Sequence, residues 1–327
     1  MRARTLTLPL AALVVGCASI LGIDDGAQRV DGGVDAAPPP DAGSDGDAAP
    51  VLDAGKDVVV VPTCSPTHPF TKITPLAELN GSTNEEHPRL LPDERTIVFQ
   101  RAPNGYVVFR ATRPDRFSPF SAPASIGELE SWGAAADPTL DATGLGIVFA
   151  SSNAGGQGSY DLWIATRPTV GDPFGVPSVL TVLSSPSNDH LPNFAAGGTV
   201  LYFGSDRPGG VGDEDIYRAA SLGGTSFGPP VLVPGLSTPA FETAPVVSDD
   251  ERLAFVEHGI IDDAGVSNGI CVSVRATASD PWPAPTAVPE LRGGDADPGW
   301  ISPDLCRLYF SSNRAGTWDL YVAERVP

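Results

Sequence analysis

Five near-copies of one short pattern limit what this chain can fold into. The dipeptides His87-Pro88, Asp137-Pro138, Leu191-Pro192, Ala244-Pro245 and Asp297-Pro298 recur at intervals of 50, 54, 53 and 53 residues. An aromatic marker keeps step with them: Phe99, Phe149, Phe203, Phe255 and Phe310 each close a short apolar run, TIVF, GIVF, VLYF, RLAF or RLYF. Two markers in phase make coincidence a poor explanation. A unit of this size, made of a few short strands, cannot bury both faces of its own sheet and needs neighbours on each side.

Each copy has the same internal order. After the proline, which a strand tolerates at its first residue, an inner strand A ends in a turn written PDE, DATG, AAGG, SDDE or SPDL. Strand B is almost wholly apolar, as in a sheet covered on both faces. A Gly-rich loop leads to strand C, read as YVVFRATR, DLWIATR, DIYRAA, VSVRAT and DLYVAER. A Phe/Trp-Pro segment then opens an outer strand D, in FSAPASIGEL, FGVPSVLTVL, FGPPVLVPGL and WPAPTAVPEL. The last copy stops at Val326-Pro327 with no strand D, whereas HPFTKITPLAELNGSTNEEHP, ahead of the first copy, aligns with a D-to-A segment and lacks A, B and C. The expected fold is all-β: a five-bladed β-propeller of four-stranded antiparallel blades, closed by an N-terminal outer strand that completes the last blade. Such closure removes the exposed strand edges that invite aggregation.

The best-formed copy carries Pro298, Ser302-Pro303-Asp304, Tyr309-Phe310, Ser311-Ser312-Asn313-Arg314, Gly316 and Asp319-Leu320-Tyr321. This pattern resembles the TolB-like (WD40-like) β-propeller repeat, most closely in copies two, three and five. Copies one and four depart, with Val107 and Val272 where the others hold Asp161, Asp215 and Asp319. TolB itself resembles a six-bladed ring with an extra N-terminal domain, and neither is evident here. The resemblance therefore implies architecture more than TolB's role in the cell envelope.

Ahead of the repeats, Arg2 and Arg4 precede an apolar run too short to span a bilayer, laid out as a secretory signal. Its end, Leu13-Val14-Val15-Gly16-Cys17, resembles the bacterial lipobox, which implies an acylated Cys17 and a lipid anchor in the membrane. Ala18 and Ser19 after it imply the outer membrane by resemblance to enterobacterial lipoproteins. Residues 24–57 hold nine aspartates against Arg29 and Lys56, interleaved with Ala, Gly and Pro, and cannot bury enough apolar surface to fold. The expected organisation is a signal at 1–16, a lipid-bearing disordered tether at 17–62 and the propeller at 63–327. The formal net charge of −20 argues against nucleic acid and anionic lipid as ligands.

Three residues before each marker proline stand Glu85, Ala135, Asp189, Glu242 and Asp295, with Glu86, His87, Asp137, His190 and Asp297 close by. Crossovers that converge on the central channel would gather these into an acidic rim. One reading is a cation site, calcium being the candidate, or carboxylates for glycoside hydrolysis. The other is that they hydrogen-bond locally and shape a turn used five times. Apart from calcium, no cofactor is expected. Asp161, Asp215 and Asp319 open strand C after Gly-rich loops and fit backbone capping. Gly224-Thr225-Ser226-Phe227-Gly228 matches the nucleophile elbow but lies between two strands, and that motif needs a strand-to-helix turn. The four histidines show no metal-ligand spacing.

Cys64 and Cys306 fall on the same face of the closing blade, so a Cys64–Cys306 disulfide is expected, with Cys271 as a buried thiol; the alternative is three free thiols. The expected role is a non-enzymatic, membrane-tethered, monomeric binding propeller for a protein, glycan or cell-envelope ligand. Specificity would lie in the B–C loops, above all 257–269. The alternative is a carboxylate-dependent glycosidase or lyase acting at the channel mouth.

Overall fold

The computed structural model describes residues 63–102, 105–262 and 265–327. The chain divides into two units, 1–58 and 59–327. The expected signal, Cys17 and most of the tether lie outside the described residues.

Strand β1 (Lys72–Pro75) stands ahead of the first complete blade, which consists of β2 (Glu85–Leu90), β3 (Thr96–Arg101), β4 (Val107–Thr112) and β5 (Ala124–Ser125). A single turn and a half of helix, α1 (Gly127–Trp132), leads on to the second blade. That blade holds β6 (Ala136–Leu140), β7 (Gly146–Ser151), β8 (Asp161–Thr166) and β9 (Ser178–Val179). The third holds β10 (Asp189–Ala195), β11 (Val200–Ser205), β12 (Asp215–Gly223), β13 (Ser226–Phe227) and β14 (Val231–Leu232). The fourth holds β15 (Glu242–Val247), β16 (Leu253–Asp262), β17 (Gly265–Val274) and β18 (Thr286–Ala287). The last holds β19 (Ala296–Ile301), β20 (Arg307–Ser312) and β21 (Asp319–Glu324). Its fourth strand is β1, antiparallel to β21 from Lys72↔Glu324 to Pro75↔Tyr321. The protein is a five-bladed, all-β propeller closed by its N-terminal strand.

The apolar B strands explain the ring. All six residues of β7 and of β11 are buried, because each of these sheets is covered on both faces. The core is five separate clusters, one in each gap between neighbouring blades. Phe149 and Trp163 meet Val98 and Val108 between the first two blades. Phe203 meets Val148, Tyr202 meets Val256, and Phe255 meets Phe310 in the next three gaps. Tyr309 and Leu320 meet Ile97 and Phe99 in the gap that closes the ring. The five marker phenylalanines are at most 1% exposed, and each contributes roughly 1.5–3 kcal/mol of burial free energy.

The Phe/Trp-Pro segments also have a physical role. At the end of strand C, Arg113, Arg167, Arg275 and Arg325 stack over Phe120, Phe174, Trp282 and Phe70, at 4.2, 4.3, 4.0 and 4.3 Å from the ring centroids. Each stack pins an outer strand to its blade. Cys64 and Cys306 are joined in a disulfide beside the last of them, and Cys271 is a buried free thiol.

Three expectations of detail are corrected. The marker prolines lie inside the inner strands, at a β-bulge, rather than at the first residue. A bulge leaves one residue unpaired, so the missing proline N–H costs the ladder nothing. The stretch 257–269 is largely strand: β16 and β17 continue to Asp262↔Gly265 as one long hairpin. The third blade has an added strand, since Ser226–Phe227 folds back on β12 around Gly223 and Gly224, both at positive φ.

Candidate functional site

The bulges determine what faces the channel. His87, Asp137, Leu191 and Ala244 have φ of 54°, 52°, 52° and 48°, a left-handed conformation that costs a non-glycine residue about 1 kcal/mol or more. In the fifth blade the bulge falls at Gly299, where a Cβ would come within 2.5 Å of the Pro88 carbonyl. The residues before the first four prolines thus occupy equivalent places in a bulge, whereas Asp297 stays paired with Ser311, as Glu86 does with Gln100, and the five are not alike. Blades five, one and two supply Asp297, His87 and Asp137; blades three and four supply Leu191 and Ala244. The backbone is fivefold, and the chemistry is one-sided.

His87, Asp137, Leu191 and Asp297 open on a cavity of about 290 Å³ to which all five blades contribute. On one side His87 Nδ1 lies 2.8 Å from Asp137, and its Nε2 lies 3.4 Å from Asp297. On the other, His190 Nε2 lies 2.8 Å from Glu214, and its Nδ1 lies 3.9 Å from Asp137. The main chain fixes Asp137 further: its N–H donates to Gln100 Oε1 at 2.9 Å, and the Leu191 N–H donates to its carboxylate at 3.4 Å. Gln100 in turn donates to Glu86 at 2.9 Å. Arg89, 2% exposed, donates to the carbonyls of Pro298 and Gly299.

Burial opposes charge on His87, but Asp137 and then Asp297 outweigh it and hold the imidazolium well above its ordinary range. Burial likewise works against an ionised Asp137, and His87 and His190 overcome it, so this carboxyl titrates below the usual range. His190 is raised, Glu214 and Asp137 outweighing its burial. Burial lowers Arg89 to about 10 against the pull of Asp137 and Asp297. Glu257 behaves in the opposite sense: burial and then the charge of Asp297 push it well above the carboxylate range. Protonated, Glu257 donates a hydrogen bond to the Asp297 carboxylate. The site therefore holds a carboxylic acid, Glu257, and an ionised carboxylate, Asp137.

The sign of one pH dependence follows. Between its unfolded value of 4.5 and its higher folded value, Glu257 binds a proton only in the folded state, so its contribution to stability falls as pH rises. The slope is at most about 1.4 kcal/mol per pH unit. Glu257→Gln keeps the donor and removes the slope. Its melting temperature relative to the parent should therefore be higher at pH 7 than at pH 5; an identical difference at both would show Glu257 ionised in the fold.

The other expected rim residues have different work. Glu85, Asp189 and Glu242 are 0% exposed and fold back on their own crossovers. Glu85 accepts from Gly81 N–H and Arg101, Asp189 from Ser185 N–H, Ser205 and Arg207, and Glu242 from Thr238 N–H, with His258 3.2 Å away. Asp295 accepts from Asn268 N–H and Asn313. The second blade, with Ala135 in place of the acid, has Asn153 bound to the Trp132 carbonyl instead. Acid and cation are absent there together, as they would be if each served the other. Asp161 and Asp215 accept the N–H groups of their glycine loops, from Gln157 and Gly158 and from Val211 and Gly212. Glycine is required in those loops: a Cβ on Gly158 would lie 1.8 Å from the Ser187 carbonyl. The Asp319 carboxylate accepts from the Thr317 hydroxyl.

The structure thus brings His87, Asp137, His190 and Asp297 together and leaves Glu85, Asp189, Glu242 and Asp295 in loop frameworks. Sequence reasoning missed Glu214, Glu257, Arg89, Thr243 and Phe241. Glu257, paired with Thr243, stands where the other copies carry Gln100, Ala150, Gly204 and Ser311, and the Phe255 marker, one residue out of step with that pairing, hid the correspondence. Among the described residues, no group of three or more His, Cys, Asp or Glu side chains is arranged to hold a metal ion.

No family model matches the chain, and no curated protein matches it. Solved structures do. The endo-arabinase from Bacteroides thetaiotaomicron is 16% identical, with 79% of this chain and 98% of that one covered and a TM-score of 0.51. The GH43_1 enzyme from Xanthomonas citri, complexed with xylotriose, is 13% identical, with 77% and 89% covered and a TM-score of 0.51. TolB from Acinetobacter baumannii is 15% identical over 76% of this chain, which spans 56% of its length, with a TM-score of 0.44. At these identities the likeness to the two glycoside hydrolases shows the propeller fold alone.

Proposed function

We propose that this chain is a binding propeller, tethered to the outer membrane through acylated Cys17, whose ligand enters the channel mouth on the B–C loop face. One observation carries the reading. The polar residues that break the fivefold pattern are already committed, His87 to Asp137 and Asp297 and His190 to Glu214, so Asp137 and Asp297 are bridged by an imidazolium rather than set across a gap for substrate and water. A cavity of about 290 Å³ also lies at the small end of ligand sites, suited to one side chain or head group rather than a row of sugars. Three partly exposed aromatic residues, Tyr106, Tyr160 and Phe241, line it.

A specific observation favours a second reading, carboxylate-dependent glycoside hydrolysis. Glu257 is held protonated in the cavity that holds Asp137 ionised, the division of labour an acid and a base need. A hydrolysis screen against arabinan, xylan and peptidoglycan fragments separates the two. The binding reading expects no turnover; sugar release abolished by both Asp137→Asn and Glu257→Gln would replace it with the enzymatic one. Labelled palmitate should enter the parent chain and not Cys17→Ser; equal labelling of both would remove the anchor from the account.

A further inference from the structure

We infer that the channel-mouth cavity takes a primary ammonium group, carried on a chain the length of a lysine side chain. This rests on the binding reading above and names the chemistry of the ligand. The lining of the cavity combines Glu86 and Glu214, both partly exposed, with the aromatic side chains of Tyr106, Tyr160 and Phe241. Carboxylates beside aromatic faces attract a cation both by charge and through the ring quadrupole. Tyr106 is 40% exposed at the rim, where an incoming chain passes first.

A second observation points to a ligand independently. Thr243 lines the cavity, is 1% exposed, and its hydroxyl has no hydrogen-bond partner. A buried hydroxyl normally has one, and an ammonium N–H donor would supply it. The charge count agrees. Facing the cavity, Glu86, Asp137, Glu214 and Asp297 outnumber His87 and His190, with Arg89 buried behind Asp137 and Asp297. Glu257, which burial and Asp297 keep protonated, is a further carboxyl that a bound cation would help to ionise. The net charge of −20 over the whole chain attracts cations and repels anions.

The test is isothermal titration of the purified full chain with acetyl-lysine methylamide, its uncharged analogue acetyl-norleucine methylamide, which lacks only the amino group, cadaverine and neutral xylotriose. The lysine probe should bind at least tenfold more tightly than the norleucine probe. Glu86→Gln with Glu214→Gln should weaken it by at least tenfold, without loss of the cooperative melt. Cadaverine binding more tightly than the lysine probe would identify a free amine as the source; the reverse would identify a peptide. Lysine and norleucine probes binding equally, or neither binding, would overturn the inference. Xylotriose binding lost in Phe241→Ala, with no response to the amines, would overturn the inference while leaving the binding reading intact.

Discussion

Removing the Cys64–Cys306 bond, by reduction or by Cys64→Ser with Cys306→Ser, should lower stability by about 3–5 kcal/mol. The bond joins residues 242 apart, so in the unfolded chain it closes almost the whole propeller into one loop. Longer loops lose more entropy on closure, which places this bond toward the upper end of the usual range. It also acts at the seam. The last blade obtains its fourth strand only through the four registered pairs of β1 with β21. Nearby, Arg325 donates to the carbonyls of Ser65, Pro66 and His68. Urea unfolding with and without reductant measures the effect, and hydrogen exchange should locate it in β1 and β21 first. A change below about 1 kcal/mol would mean that the strand pairing and the Tyr309–Phe99 gap close the ring unaided.

Arg89→Met should cost a similar amount, about 3–5 kcal/mol, for a different reason. Arg89 is buried, and its charge is felt by Asp137 and Asp297. Removing one partner from a buried charge set leaves the others uncompensated, and that penalty exceeds the packing a methionine restores. The carbonyls of Pro298 and Gly299 would lose their donor as well. Arg89→Lys should fall between, returning the charge on a more strongly hydrated ammonium. A methionine variant as stable as the parent would show that His87 and His190 balance the two aspartates without it.

The ring was legible because its determinants are local and repeated. Apolar B strands, turns, Phe/Trp-Pro segments and a missing outer strand can all be counted along the chain. The site was only half legible. Glu85, Asp189 and Asp295 attract notice because they repeat, and repetition is what a shared loop framework produces. The residues that make the cavity unlike a plain repeat are departures from it: Glu257 where the other blades carry Gln100, Ala150, Gly204 and Ser311, and His87 and Asp137 where Leu191 and Ala244 stand. The bulge that directs them inward has no clear trace beyond the X-Pro step, because strand register is decided by pairing across the sheet. Arg89 and Thr243 gain their meaning only from neighbours on other blades. The hairpin from Leu253 to Val274 was hidden by its glycines and polar residues, which read as loop although they pair to the tip.

The central claim is that the one-sided channel mouth is where this propeller meets its ligand. A photo-crosslinking amino acid placed at Tyr106, on the rim of the cavity, and separately at Phe117, 84% exposed in the turn between β4 and β5, tests it in intact cells. The account predicts a discrete adduct from position 106, weakened by Glu86→Gln with Glu214→Gln, and none from position 117. Adducts from position 117 alone, or an adduct at 106 indifferent to those carboxylates, would contradict it.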